Sequence, residues 1–485
     1  MAPFVGRGTE LSTVAALAER VSATRLPSAA LFVSDPGQGK TRLLSRIREV
    51  LAFPHHLAVL GYEPEHLVPL AAASELVRGL LPDLPRRASI GGARARTGGT
   101  SSLEPVRVFE TVLRAIDPRR PTLVSVDDVQ WVDELSLALL HYLMRGASDV
   151  RRPLLLVAAG RPDEMTARLE RSLGTILPGE AFQRITLRPL ARLDSERLLR
   201  AVDPDITSIR AAAILEEAAG SPFWLEMLAY SGGQQAEVAQ VHRSRMEGAP
   251  LDANGLLSVL AVLGRPAAAG DVARIGEWTK ERVEAAARDL ADRGLAVREA
   301  GSIRLAHDLV RAAVLSDVPE SEARRIHLRI ADAIEAEAGD DVQLLRSALD
   351  HRRRAGRPVL GLALRLARSP RRRWLGRDGA AMLGRVADDA EQSHQNTLAL
   401  HRATAALASE LADHEYGLYR WSLVASRTVP GPDQARAALA AAREAYFLGR
   451  SGEARKWIAD ARASADRAAS TASDVLEALI ELWLE

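Results

Sequence analysis

Residues that could do chemistry begin with Ser34-Asp35-Pro36-Gly37-Gln38-Gly39-Lys40-Thr41. The apolar run Ala29-Ala30-Leu31-Phe32-Val33 precedes this stretch, and Arg42-Leu43-Leu44-Ser45-Arg46-Ile47 follows it at helical spacing. Strand, glycine-rich turn, Lys-Thr and helix is the order a phosphate cradle needs. Small residues let backbone N–H groups close around a polyphosphate, and the helix N-terminus adds its positive dipole end. Lys40 would reach the β- and γ-phosphates, and the Thr41 hydroxyl could ligate Mg²⁺. Ser34 stands where the motif has its first glycine, a substitution with a steric cost if the backbone there needs a positive φ. Lys40 is one of only three lysines, with Lys280 and Lys456. All the other basic residues, out of 64 Lys and Arg, are arginine. A compact ammonium on a flexible stem suits a phosphate cradle better than a planar guanidinium does.

A second group is acidic. Asp127 and Asp128 close the short apolar run Leu123-Val124-Ser125-Val126. A carboxylate at Asp127 could hold Mg²⁺ beside Thr41, and Asp128 could polarise an attacking water. Taken alone, adjacent acids at a strand end also fit a solvated turn. Arg161 follows another apolar run, Leu154 to Ala159. It is placed either to meet a γ-phosphate or as a surface arginine before a Pro-Asp turn.

Positioning these groups requires a buried sheet. The runs at 29–33 and 154–159 are continuously apolar and 122–126 is predominantly so, as strands covered on both faces must be. Further strands are predicted at 57–62 and 185–187, and helices at 10–17, 67–81 and 106–116. Alternating strands and helices argue a doubly wound parallel α/β domain with ligands at the carboxyl ends of its strands. Residues 86–105, with Gly91-Gly92 and Gly98-Gly99, read as an exposed loop. From about residue 192 the pattern is helical, broken at Gly220-Ser221-Pro222. Three helices and a hairpin at 295–305 suggest a winged helix within 254–318. The remainder, 320–485, is helical, and Ala445 to Ala454 has the spacing of a tetratricopeptide-like helix pair. Leu479 to Glu485 reads as a helix cut short, so a fragment is expected.

Composition bounds the rest. A length of 485 suggests about three domains. Net charge is +1, so nothing overall advertises nucleic acid. The absence of cysteine excludes disulfides and thiolate metal sites and fits a cytoplasmic location. No run is long enough to span a membrane, and the N-terminus lacks the form of a signal peptide.

Several segments together carry a family resemblance. They are Val5-Gly6-Arg7 with Glu10-Leu11, Gly39-Lys40-Thr41-Arg42-Leu43-Leu44, and Val126-Asp127-Asp128-Val129-Gln130-Trp131-Val132-Asp133. Gly160-Arg161-Pro162-Asp163, Leu187-Arg188-Pro189-Leu190, Gly220-Ser221-Pro222-Phe223-Trp224 and Leu305-Ala306-His307-Asp308 follow in order. This set resembles the large ATP-binding regulators of the LuxR family, STAND-class P-loop ATPases related to AAA+ proteins. The resemblance covers residues 4 to about 335 and continues more loosely through the helical repeats. It implies a P-loop domain at 1–190, a helical lid at 191–250, a winged helix at 251–318 and helical repeats at 319–485.

The resemblance also implies site roles. Val5, Gly6 and Arg7 would lie by the adenine. Pro36, Gly37, Gln38, Gly39, Lys40, Thr41 and Arg42 would hold phosphates, and Thr41 and Asp127 the Mg²⁺. Asp128, Lys40 and Arg161 would be the catalytic set, Pro222 would pack near base or ribose, and His307 would reach the β-phosphate in a closed ADP state. The implied function is an ATP/ADP switch with slow hydrolysis, opening and oligomerising on nucleotide exchange. An inducer or protein partner would act at the repeats. DNA would be read only through a C-terminal helix-turn-helix, for which residues near 485 offer no candidate. The winged helix is usually an intramolecular lid in this class. Three alternatives remain open at this point: an ordinary AAA+ motor, a nucleotide-holding scaffold without significant turnover (or one without nucleotide), and a small-substrate kinase. The long helical half argues against the last.

Overall fold

β1 (Ser28–Val33), β3 (Thr122–Asp127) and β4 (Leu154–Gly160) are buried at every position. That is the burial that continuously apolar strands require. In the computed structural model they form the middle of a five-stranded parallel sheet of order β2-β3-β4-β1-β5. The structure describes residues 3–80, 105–230, 246, 250–299, 301–393 and 395–463. The expected glycine-rich loop at 86–105 and the chain end at 479–485 lie outside the described residues, apart from Pro105.

β2 (His55–Leu60) and β5 (Phe182–Thr186) are the sheet edges and are partly exposed. Each begins two to three residues earlier than its apolar run suggests, because edge strands tolerate polar residues on the open face. Helices α1 (Gly8–Thr24), α2 (Lys40–Leu51), α3 (Ser74–Leu80), α4 (Pro105–Ala115), α5 (Glu134–Asp149) and α6 (Glu164–Ile176) accompany the sheet. Val14, Leu17 and Val21 of α1 and Leu43, Leu44 and Ile47 of α2 share one core with Phe32, Leu155 and Val157. The doubly wound P-loop fold expected from the sequence is present.

The expected helix at 67–81 forms only from Ser74. Pro69 disfavours helix before it, and Leu70 takes a left-handed φ of 57°. The backbone N–H groups of Leu70 and Ala72 donate instead to the Asp133 carboxylate, at 2.7 and 3.1 Å. Asp133 also caps α5, accepting from Ser136 N (3.0 Å) and Ser136 Oγ (2.6 Å). It is 2% exposed. Burial pushes its carboxyl above the usual range, and the hydrogen bonds from Ser136, Ala72 and Leu70 offset part of that rise.

A small helical cluster follows: α7 (Arg192–Val202), α8 (Ser208–Ala218) and α9 (Pro222–Tyr230). Leu198, Ile214, Leu225 and Leu228 form its core, with Val5 packed against it. Helices Leu251–Leu263, Ala269–Gly276 and Lys280–Asp292 come next. β7 (Ala296–Glu299) and β8 (Ser302–Leu305) then form the expected hairpin. The two-residue strand β6 (Ala267–Ala268) extends it to a three-stranded antiparallel sheet of order β6-β8-β7. Helix Asp308–Asp317 ends this segment.

The chain divides into two compact units, 1–333 and 334–485. The second is helical at every described element. Alanines 435, 438, 441, 442 and 445 let its helices approach closely. Buried Arg420 makes a bidentate pair with Asp388 at 2.7 and 2.8 Å, donates to Tyr416 Oη at 2.9 Å and faces His401 Nδ1. Arg427 faces His401 Nε2 at 3.2 Å. Burial and these two cations lower the imidazole's pKa. No helix among the described residues is long and apolar enough to cross a membrane.

Asp133→Ala would leave two buried N–H groups unpaired and α5 uncapped. The expected loss is about 3 kcal/mol, read as an earlier first transition in chemical denaturation. Asp133→Asn should recover part of it, and a loss below about 1 kcal/mol for the alanine variant would contradict this role.

Candidate nucleotide-binding site

β1 ends at Val33, whose register partners are Gly160 on β4 and Thr186 on β5. The loop from Ser34 therefore leaves the sheet at the same carboxyl end as Arg161. Gly37 and Gly39 take φ values of 85° and 83°, which a side chain would resist. A Cβ on Gly37 would come within 3.1 Å of Ser221 Oγ and 3.2 Å of Phe223 Cβ. Ser34 is not among the residues with positive φ. The steric cost raised by the sequence does not arise, because this position continues the strand: Ser34 N donates to Gly160 O at 3.2 Å.

Lys40 opens α2 and is 7% exposed. Its ammonium donates to Ser34 O and Asp35 O, both at 2.9 Å, and lies 3.3 Å from Ser34 Oγ. The buried cation is thus held at the loop's centre by loop acceptors. Thr41 is exposed on the first turn. Arg42 points elsewhere, pairing with Glu226 of α9 at 2.7 Å.

The acids lie one strand further along. β4 separates β1 from β3, with Val126 opposite Ala158. Asp127 is buried at the end of β3, and its Oδ1 accepts from Asp128 N at 3.0 Å. Asp128 turns the chain at φ 51°. Its own carboxylate accepts from Gln130 Nε2 at 2.7 Å, while Gln130 Oε1 accepts from Arg161 N at 3.0 Å. Buried Gln130 therefore ties the expected water-activating acid to the start of the Arg161 turn. Residue type alone gives Gln130 no role. Its offset of two from Asp128, on the turn after the strand, was the available signal.

Arg7 turns with a φ of 65° and has a largely buried guanidinium. It donates to Glu10 Oε1 (3.2 Å), Arg188 O (2.7 Å) and Gln38 O (3.0 Å). One planar fork thus joins the N-terminal segment, the phosphate loop and the Leu187–Leu190 strand exit. Beside it, a Cβ on Gly6 would approach Asp194 Oδ2 to 2.9 Å. Val5 packs into the α7–α9 core.

The Gly220-Ser221-Pro222 break delivers α9 onto the loop. Ser221 Oγ and Phe223 N both donate to Gly37 O at 3.2 Å. Pro222 Cγ lies 3.7 Å from where a Cβ on Gly39 would stand, so Pro222 does face the loop. His307 caps the helix that begins at Asp308, its Nδ1 accepting from Leu309 N at 3.1 Å. That bond places the ring proton on Nε2 of the neutral imidazole. The ring stacks on Phe223, centroids 4.3 Å apart. Ser221 and Phe223 carry the hydrogen bonds through which the α9 segment reaches the loop, and residue type alone gives neither a role.

Known proteins bear on this geometry. Residues 3–157 match the family described as the AAA ATPase domain. No curated protein sequence matches the chain. Among solved structures, a signal transduction ATPase with numerous domains (STAND) from Pyrococcus horikoshii, which carries a tetratricopeptide repeat sensor, is similar in fold. Its TM-score is 0.56 at 14% identity, covering 100% of this chain and 69% of that one. A Walker-type ATPase of Pyrococcus abyssi matches at TM-score 0.34 and 15% identity, over 64% of this chain and 96% of that one. Cdc6p of Pyrobaculum aerophilum matches at 0.36 and 16%, over 65% and 97%. The two lower scores carry no argument. The family match and the parallel sheet agree that the N-terminal part of the chain is an AAA-type P-loop ATPase domain, a fold that implies nucleotide binding.

Proposed function

We propose that the chain is a nucleotide-operated switch of the STAND kind, the ATPase and sensor part of a LuxR-family regulator. The observation that carries this reading is the position of Phe223. Its backbone bonds the phosphate loop at Gly37 while its ring stacks on His307. A change in what the loop holds is thereby connected to the 251–317 segment. Two ion pairs support the same closed arrangement. Glu63, after β2, pairs with Arg311, and Glu65 pairs with Arg265 at 2.9 Å.

The residues fit a nucleotide. Gly37, Gln38 and Gly39 supply backbone donors, and the positive φ of Gly37 and Gly39 is one that favours glycine. Lys40 supplies the cation, and Thr41 with Asp127 would hold Mg²⁺, which supplies charge neutralisation between phosphates. Asp128 would orient water with Gln130 fixing its carboxylate, and Arg161 would respond to a γ-phosphate. Val5, Gly6, Arg7 and Pro222 would border the base and ribose. His307 Nε2–H is a donor suited to a β-phosphate oxygen.

In this reading 251–318 is a winged-helix lid, and the region after it is a tetratricopeptide-like sensor for an inducer or protein partner. Helices there begin at Leu398 and Pro432, 34 residues apart, which matches that repeat's period. The coupling between nucleotide and sensor must come from contacts that differ between two states. Hydrolysis would reset the switch slowly, on the order of one turnover per minute or less. ATP-dependent oligomerisation, a cytoplasmic location and a DNA-reading C-terminal partner domain belong to the same proposal.

Purified protein is expected to release ADP or ATP on denaturation, identified by chromatography, and Lys40→Ala is expected to release little or none. Equal release from both would end the nucleotide reading. In single-turnover assays Asp128→Asn should slow hydrolysis about 100-fold, and an unchanged rate would remove Asp128 from catalysis. Hydrogen exchange supplies a third check. ADP should protect amides within 251–317 in the wild type but not in Phe223→Ala, and equal protection in both would disprove the coupling.

A further inference from the structure

Ser34 has a use that a glycine could not serve. An ammonium carries three hydrogens. Two of the acceptors around Lys40 Nζ are backbone carbonyls, Ser34 O and Asp35 O, which any residue would provide. A third is the Ser34 hydroxyl at 3.3 Å. Both residues are nearly buried, Ser34 at 5% exposure and Lys40 at 7%. The serine costs nothing conformationally, since its φ is not positive. The hydroxyl has its own second partner, Asp35 O at 3.2 Å, to which it donates. It therefore stays satisfied when the lysine turns away.

A phosphate oxygen binding Lys40 must take up one of those ammonium hydrogens. Among these three contacts the hydroxyl's is the longest and is made by a rotatable side chain, so it is the one displaced. We infer that Ser34 sets the affinity of the loop: its hydroxyl stands in for a phosphate oxygen on Lys40, stabilises the empty loop and so speeds nucleotide release. The inference rests on the nucleotide reading above and adds a direction to it. The serine is a device for exchange, and removing its hydroxyl tightens binding.

The test is release of a fluorescent ADP analogue from wild type, Ser34→Ala and Ser34→Gly, followed by stopped flow, with equilibrium affinities for ADP and AMP. Loss of one long charge-assisted hydrogen bond from the empty state is expected to slow ADP release about five- to ten-fold in both variants. AMP affinity should not change, because Lys40 serves the β- and γ-phosphates. A purely structural effect of the substitution would move ADP and AMP together, and that result overturns the inference. So does unchanged or faster ADP release, either of which leaves the nucleotide reading standing. Binding detectable only in the variants supports the inference. Absence of binding in all three proteins removes both readings at once.

Discussion

The carbonyl of Gly37 accepts two hydrogen bonds from outside its own loop, from Ser221 Oγ and from Phe223 N. The rest of the unit is arranged around that oxygen. The lack of a Cβ on Gly37 eases this approach, since a Cβ there would stand 3.1 Å from Ser221 Oγ and 3.2 Å from Phe223 Cβ, closer than ordinary van der Waals contact. A loop shaped for phosphate is thus also the seat of α9, and Phe223 extends the connection to His307. One absent methyl group serves two purposes, close approach to a ligand and close approach of a helix.

Arginine and lysine divide the work around this joint. Where geometry must be fixed, the chain uses planar guanidinium groups. Arg7 forks across three segments, Arg42 fastens α2 to α9, and Arg265 and Arg311 grip Glu65 and Glu63. At the loop itself it uses Lys40, a point charge that can change partners without reorienting a plane. Planar charge surrounds the site and a single ammonium lies inside it. In the second unit the same preference for arginine produces the buried Arg420–Asp388 pair, where no exchange is needed.

Much of the fold was legible because its signals are local. The three central strands announce themselves as short, predominantly apolar runs, the pattern that burial on both faces favours. The hairpin at 296–305 was readable from its turn. The loop from Ser34 to Thr41 was readable because glycines at fixed offsets encode backbone angles directly. Less legible were β2 and β5, whose edges tolerate polar residues, and the segment 67–73, where Asp133 from a distant helix start outcompetes local helix formation. Gln130, Ser221 and Phe223 went unassigned for a related reason. The contacts that tie them to Arg161, Gly37 and His307 span 31 or more positions, and residue types alone do not identify such pairs.

Sequence alone determined the parallel sheet, the phosphate loop and the acidic strand end, since each depends on residue type and spacing within a short stretch. Only the tertiary structure decided which strand lies between them, placing β4 and Arg161 between the loop and the acids. Tertiary structure also supplied the surroundings of Ser34. By residue type it looked like a flaw, because a motif records glycine without recording φ. In the fold its backbone continues a strand, and its side chain meets Lys40, six residues on, which is a contact that only the folded turn creates.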